Sequence, residues 1–378
     1  MHVVVNSIPA KGIVTGIGRY VRSLYDAVLR RGDTEVTFFD GKTIEKVLPP
    51  YPDPAKYVAV ADRLSNFPWW LLTFHRAIFW LGFEIRLNSV LKRQHASLYH
   101  EPGFFPARVT HCPQVLTIYD LSLIKMPYFH PKDRVAFFRL FFKRRLPFAS
   151  HIITISEFIR QEVLEFLPVE PHRVTAVPLA SSGNFRPRAI SSVRNIMEKY
   201  GLRKPYILAV GTIDPRKNLR LLLRSLALMN REDVMLVMVG WKGWGYGDLA
   251  NEIEKLKARI PIRFLGYLSD EELAALYSGA HFLVYPSLYE GFGLPVLEAM
   301  ACGCPVICSS TSSLPEVAGD AALYIDPHNA GDLAGKMELL LDDEPMRQDL
   351  VHRGLLRAAE FSWEKVAEKT LQVFRSII

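Results

Sequence analysis

YPSLYEGFGLPVLEAMACGCP, residues 285–305, is the stretch that decides how this chain folds. A short apolar run, 282–285, ends at its first residue, as a buried strand does. A loop with Glu290, Gly291, Phe292 and Gly293 follows, and a helical stretch opens near Leu294 and Pro295. Proline suits a first helical turn because its missing N–H has no intrahelical partner to lose. Glycine lets backbone N–H groups approach a ligand closely, and a helix N-terminus favours an anion such as a diphosphate. Strand, glycine loop and helix together make one unit of a parallel α/β sheet.

The same alternation extends in both directions. Downstream, 306–308 reads as the next strand. Upstream come a helix at 271–278, with Ser269 and Glu272 spaced as a capping box, a short strand at 263–265, and a helix at 249–259. Strands at 234–239 and 206–210, with a helix at 219–229 between them, complete this half. Residues 178–204 are polar, contain two prolines and read as irregular, with the linker at 181–204. Before it, 1–6 is a strand and Gly12, Gly16 and Gly18 mark a loop. A helical pattern from Ile17 to Leu29 and a strand at 36–39 follow. Residues 45–95, rich in aromatics and proline, hold one or two helices; strands follow at 97–100, 115–119 and 151–155. Ser156 is placed as the N-cap of a helix running to Phe166.

The expected architecture is therefore α/β, with two doubly wound domains at 1–180 and 205–362. A last helix, 363–378, is free to pack back onto the first. Ligands of such a pair sit in a cleft at the carboxyl ends of the strands.

Composition sets the outer limits. The chain has 378 residues, 49% of them hydrophobic and 22% charged, which suits two globular domains. The formal charge of +7 is uneven: residues 1–190 carry 25 Lys and Arg against 15 Asp and Glu, the remainder 21 against 24. A basic front half attracts nucleic acid, anionic lipid or phosphorylated substrate. No helix-turn-helix, zinc-finger or RNA-binding signature accompanies the charge, so nucleic acid is not the expected partner. Cys112, Cys302, Cys304 and Cys308 lack zinc spacing and read as buried thiols of a reducing compartment. The N-terminus reads as a strand-like run rather than a basic-then-apolar signal peptide. The most apolar stretch, 67–83, is broken by Pro68, His75 and Arg76 and is too short to span a bilayer. The expected location is cytoplasmic, with peripheral attachment to the inner membrane face as a further option.

The 285–305 segment resembles the Glu-x7-Glu motif of glycosyltransferase family 4, retaining enzymes of the GT-B fold, and the likeness includes the Gly-Phe-Gly-Leu-Pro core and the trailing Ala-Met-Ala-Cys-Gly. It implies that Glu298 receives ribose hydroxyls, that Glu290 faces the sugar, and that Gly291, Phe292, Gly293 and Leu294 line the donor. GTIDPRKN, 211–218, is similar to the loop in which Arg216 and Lys217 hold the donor diphosphate. Two cations beside a helix start neutralise a diphosphate without a metal. FLGYLS, 264–269, resembles the segment whose backbone at Tyr267 and Leu268 reads the base. LPEVAGD, 314–320, matches a further donor-domain segment whose Glu316 is structural rather than catalytic.

In the first half, TGIGRY, 15–20, resembles the acceptor-side glycine loop, with Gly16 and Gly18 approaching the donor phosphate. Where relatives carry His-Asp, this chain has Tyr119-Asp120, which are kept as catalytic candidates; a tyrosine hydroxyl can donate but is no base near pH 7. His100 and Glu101 are equally open to a structural or a site role.

The resemblance implies metal-free, retaining hexosyl transfer from a nucleotide-sugar to a glycan or polyprenyl-linked acceptor of surface polysaccharide or lipopolysaccharide synthesis. GIGRY, PRKN and TIYDLS are most similar to mannosyltransferases using GDP-mannose; a UDP-sugar or dTDP-rhamnose is the alternative. No cofactor beyond the donor substrate is expected. A phosphorylase or epimerase of the same fold lacks support, since neither a pyridoxal lysine nor the epimerase acid and histidine set is recognisable. A non-catalytic nucleotide-binding protein is the distant alternative. KDRVAFFRLFFKRRLPF, 132–148, groups Phe137, Phe138, Phe141 and Phe142 on one helix face with Arg139 and Lys143 opposite. That pattern fits a helix lying on an anionic membrane as well as a core helix with a basic edge.

Overall fold

The computed structural model describes residues 1–11, 16–48, 68–202, 205–229, 231–241 and 246–378. Gly12 and Thr15 of the glycine loop, 49–67 of the aromatic stretch, and 203–204 of the expected linker lie outside that range. The chain divides into two compact units, one of Met1–Leu179 with Trp363–Ile378, the other of Ala180–Ser362.

The first unit is built on a seven-stranded sheet of order β3-β2-β1-β4-β5-β6-β7. The strands are β1 His2–Asn6, β2 Glu35–Phe39, β3 Ile44–Glu45, β4 Leu98–Glu101, β5 Gln114–Ile118, β6 His151–Thr154 and β7 Val174–Ala176. All pairings are parallel except β2 with β3. The central strands β4, β5 and β6 are buried at every position, as strands covered on both faces must be. Covering helices include α1 Gly16–Arg31, α2 Trp69–Arg93, α3 Lys132–Arg145 and α4 Glu157–Phe166. The Ser156 side chain caps α4 by accepting from Ile159 N–H at 3.2 Å.

Two expectations change here. Gly16 and Gly18 are not loop residues: α1 already begins at Gly16, so both lie in its first turn, and Gly18 is buried. The aromatic face of 132–148 is not a free surface, because Phe137, Phe138 and Phe142 are buried. Phe105 packs against Phe137 at 4.5 Å, and Phe104 stacks on Phe138 and Phe142 at 5.6 and 5.8 Å. Of the two readings of that helix, the core helix with a basic edge is the one observed.

The second unit carries a six-stranded, wholly parallel sheet of order β10-β9-β8-β11-β12-β13. Its strands are β8 Tyr206–Val210, β9 Met235–Val239, β10 Ile262–Phe264, β11 Phe282–Tyr285, β12 Val306–Ser309 and β13 Leu323–Ile325. Counted within the unit the order is 3-2-1-4-5-6, that of a dinucleotide-binding sheet. The helices are α5 Ile190–Tyr200, α6 Leu219–Leu228, α7 Tyr246–Lys257, α8 Asp270–Gly279, α9 Leu294–Ala301, α10 Leu314–Ala318, α11 Ala330–Asp342 and α12 Glu344–Ala359. The capping box of α8 forms as the sequence predicts: Ser269 accepts from Glu272 N–H and the Glu272 carboxylate from Ser269 N–H. The stretch 181–204 is not irregular throughout, since α5 occupies 190–200 and ends at left-handed Gly201. A single apolar side chain, Ile196, is buried on α5, which packs against α8. The helical period is present in the sequence, in Ile190, Val193, Ile196, Met197 and Tyr200, and the polar residues around it obscured it.

The final helix, α13 Trp363–Ser376, belongs to the first unit. It packs against α1, burying Trp363, Val366, Ala367, Leu371 and Phe374.

Candidate functional site

The strand order of the second unit reverses between β8 and β11, so the loops that follow these strands lie side by side at their carboxyl ends. The loop after β8 carries Gly211–Asn218 and that after β11 carries Pro286–Gly293. Backbone bonds hold them together: Leu288 N–H donates to the Arg216 carbonyl at 2.8 Å. The Asn218 side-chain amide donates to the carbonyls of Pro286 and Pro327 at 3.1 and 2.7 Å. Asn218 adopts left-handed backbone (φ 54°), a conformation that asparagine tolerates better than most residues.

This arrangement brings together Lys217 and Glu290, 73 positions apart. The Lys217 ammonium donates to the Glu290 carboxylate at 2.7 Å and to the Tyr285 hydroxyl at 2.5 Å, and lies 4.8 Å from the Tyr285 ring centroid. An ammonium has three N–H donors, and among the described residues two are used. Burial, and then the nearby Glu290 charge, pushes the Tyr285 hydroxyl well above its usual pKa, so it stays protonated. Glu290 is itself held by its backbone: its N–H donates to Ser312 Oγ at 3.1 Å, and Ser313 Oγ donates to its carbonyl at 2.9 Å. Arg216 forms an ion pair with Asp214 at 2.9 Å, and Asp214 also accepts from Arg216 N–H at 2.8 Å.

Gly293 stands at φ 101° and caps α9 without a side chain. No side-chain oxygen therefore caps the first turn; Pro295 has no N–H, Val296 N–H donates to the Gly293 carbonyl at 2.9 Å, and the positive end of the helix dipole faces the loop. A Cβ at Gly293 would meet Leu314 Cδ2 at 2.6 Å, so the position requires glycine on two counts. Phe292 is buried edge-on against Phe361 at 6.0 Å and supports the loop rather than lining its surface. Leu294 is the first residue of α9. Glu298, in the second turn, is buried, and the Tyr277 hydroxyl donates to it at 3.3 Å. Tyr267 follows β10 and stacks on Trp241, which follows β9, with ring centroids 5.5 Å apart and planes 20° from parallel. Leu268 is buried beside it. Glu316 sits in the first turn of α10, its carbonyl accepting from Arg357.

The first unit has its own cluster at the carboxyl ends of β1, β4 and β5. Glu101 is completely buried and accepts from the Asn6 amide at 2.8 and 3.1 Å, Tyr99 hydroxyl at 2.5 Å and Gly103 N–H at 2.7 Å. Burial raises its pKa to about 7. His100, equally buried, lies between the Tyr25 hydroxyl (2.5 Å) and Thr117 Oγ1 (2.9 Å), and burial lowers its pKa to about 3. Both are structural residues, which decides the question the sequence left open. Tyr119 corrects an expectation: it is buried, and its hydroxyl donates to the Pro102 carbonyl at 2.8 Å, so that donor is not presented to a substrate. Asp120 accepts from Ser122 N–H and Oγ at 2.9 and 2.5 Å, and Ser122 Oγ is 2.8 Å from His130 Nε2.

Asp214, Tyr285, Ser312, Ser313 and Trp241 escaped the sequence reading as site residues. Asp214 had a local signal, an Asp-Pro start two residues before Arg216. Ser312, Ser313 and Trp241 reach the site through the sheet and carry no local signal, while Tyr285 closes β11 five residues before Glu290.

Two family descriptions match the chain: "Glycosyl transferases group 1" over residues 192–357 and "Glycosyltransferase Family 4" over 14–180. The chain is 34% identical to O-antigen chain mannosyltransferase B of Escherichia coli, with 99% of this chain and all of that protein aligned. It is 32% identical to the serotype-specific mannosyltransferase WbdA of Escherichia coli over 61% of this chain, which is 29% of that longer protein. Its backbone matches sucrose-phosphate synthase of Thermosynechococcus elongatus with a TM-score of 0.74, covering 99% and 98% of the two chains at 23% identity. That likeness concerns the fold.

Proposed function

The chain belongs to glycosyltransferase family 4 and is a glycosyltransferase of the GT-B fold, and from that premise we propose that it transfers mannose from GDP-mannose, with retention and without a metal, to a glycan or lipid-linked acceptor in surface polysaccharide synthesis. The choice of sugar is supported by the identity to an O-antigen chain mannosyltransferase across the full length of both chains.

The observation that carries the mechanism is the Lys217–Glu290 pair, held at 2.7 Å beside the uncapped start of α9. A departing nucleoside diphosphate develops negative charge, and fixed donors aimed at that charge lower the barrier. Lys217 and Arg216 supply them without a metal, helped by the positive end of the α9 dipole. Glu290, the carboxylate on the far side of Lys217, orients the sugar and stabilises the positive charge that grows at its anomeric carbon. The acceptor hydroxyl then attacks from the face the diphosphate leaves, with the donor phosphate taking its proton. Glu298 and Tyr277 form the ribose end of the site, and Tyr267 with Leu268 the base end.

The test is Glu290→Ala, assayed for transfer and for nucleotide binding by calorimetry. Transfer is expected to fall by roughly a hundredfold or more while nucleotide affinity changes only a few-fold. Near wild-type transfer would remove Glu290 from the mechanism. In the same calorimetric series GDP is expected to bind more tightly than UDP or dTDP, and a reversed order would overturn the donor assignment.

A further inference from the structure

Helix α2 has an unusual double character. One face packs into the core of the first unit, burying Trp80, Phe83, Leu87, Val90 and Leu91. The opposite face is also apolar, and it is open: Trp70 is 60% exposed, Phe74 60%, Ile78 55% and Ile85 74%, with Leu71 and Leu81 between them. At 100° per residue these six positions fall within about a quarter of the helix circumference, a ridge of roughly 22 Å from Trp70 to Ile85. Single exposed hydrophobics need no explanation, but a continuous apolar stripe does.

The charge around the ridge says what covers it. Helices α2 and α3 pack against each other and together hold two carboxylates, Glu84 and Asp133. Both are buried, and both are engaged in ion pairs, Glu84 with Arg145 at 2.6 Å and Asp133 with Arg76 at 3.0 Å. The exposed charge is thus wholly basic: Arg86, Lys92 and Arg93 on α2, and Arg139, Lys143 and Arg144 on α3. A second copy of the chain would set this basic rim against its own like, which opposes pairing. A convex apolar ridge with tryptophan at one end and a basic border instead has the make-up of a helix lying in a lipid interface.

We propose that the outer face of α2, with the basic edge of α2 and α3, seats the first unit on an anionic lipid surface. Trp70, Phe74, Ile78 and Ile85 enter the boundary between headgroups and acyl chains, and the lysines and arginines meet the lipid phosphates. The surface lies on a different helix face from the one the sequence singled out. Phe137, Phe138 and Phe142 of α3 build the core beneath, and its exposed positions are its basic residues with Leu140 among them. No described helix is long and apolar enough to cross a membrane, so the contact is peripheral to the bilayer. The proposal does not use the donor assignment, and its test contains neither donor nor acceptor.

Full-length protein is mixed with vesicles of phosphatidylglycerol and phosphatidylethanolamine, or of phosphatidylcholine alone, and separated by flotation. Wild type is expected to float with the anionic vesicles only, and less so as salt is raised. Ile78→Glu with Ile85→Glu is expected to weaken that binding by roughly tenfold or more, with circular dichroism and melting temperature unchanged because both side chains are exposed. Lys143→Glu with Arg144→Glu is expected to weaken it at low salt. Wild type that fails to float, or an Ile78→Glu, Ile85→Glu variant that floats like wild type, overturns the proposal. So does wild-type self-association that the same variant abolishes in the absence of any vesicle binding, which would make the ridge a contact between copies.

Discussion

Two neighbouring side chains on β4 respond to burial in opposite directions. Glu101 is held neutral, its pKa raised from 4.5 to about 7, and His100 is also held neutral, its pKa lowered from 6.5 to about 3. Above pH 4.5 the unfolded chain loses the proton that folded Glu101 keeps, so this contribution declines as pH rises and is gone above 7. Below pH 6.5 the unfolded chain gains a proton that folded His100 refuses, so that contribution declines as pH falls. Between 4.5 and 6.5 the two slopes oppose each other, each by about 1.4 kcal/mol per pH unit. Urea unfolding across this window is expected to show that Glu101→Gln gains stability with rising pH relative to wild type, and His100→Gln loses it. Parallel pH dependences for both variants and wild type would mean that neither group is held neutral. At this scale the motif segments named Lys217, Arg216, Glu290 and Glu298 from the sequence, because local spacing identifies a loop and the helix start behind it. The partner of each was not legible: Lys217 meets Glu290 only because β8 and β11 are neighbours, although two strands, β9 and β10, lie between them in the chain. Tyr119 went astray for the same reason, since the Pro102 carbonyl that takes its hydroxyl comes from the end of another strand.

Elements were legible where their signals are local. The start of α9, the capping box of α8 and the Ser156 cap of α4 are chemical signatures a few residues long, and all three form. Helix α5 was missed although Ile190, Val193, Ile196, Met197 and Tyr200 carry its period, because the polar composition of the stretch reads as linker, and α1 begins earlier than its glycines suggested. Gly293 marks the junction on which the site depends. Alanine there combines a left-handed φ with a side chain 2.6 Å from Leu314, at a cost of about 2 kcal/mol. Gly293→Ala is expected to lower the melting temperature of the second unit by roughly 4–8 °C and to weaken nucleotide binding, as read by calorimetry. An unchanged melting temperature and affinity would show that the loop adapts freely.

At the scale of the molecule, the chain returns to its first unit at the end. Phe374 is fully buried on α13, 5.3 Å from the His100 ring, and Trp363 lies 6.3 Å from Tyr20. Phe374→Ala should therefore act on the first unit, costing about 3–5 kcal/mol. Differential scanning calorimetry is expected to show the melting component of the first unit moving down while that of the second unit holds its position. A shift confined to the second unit would contradict this assignment. Alternating apolar runs and glycine loops by themselves determined that there are two doubly wound sheets, which of their loops are rich in glycine and charge, and the family, because each of these follows from periods and motifs contained within a few residues. Tertiary structure alone decided that Lys217 and Glu290 meet, that α13 covers α1, and that the outward apolar helix face is that of α2 rather than α3. An apolar stripe announces that it will be covered, but its covering partner is chosen by the packing of elements far apart in the chain.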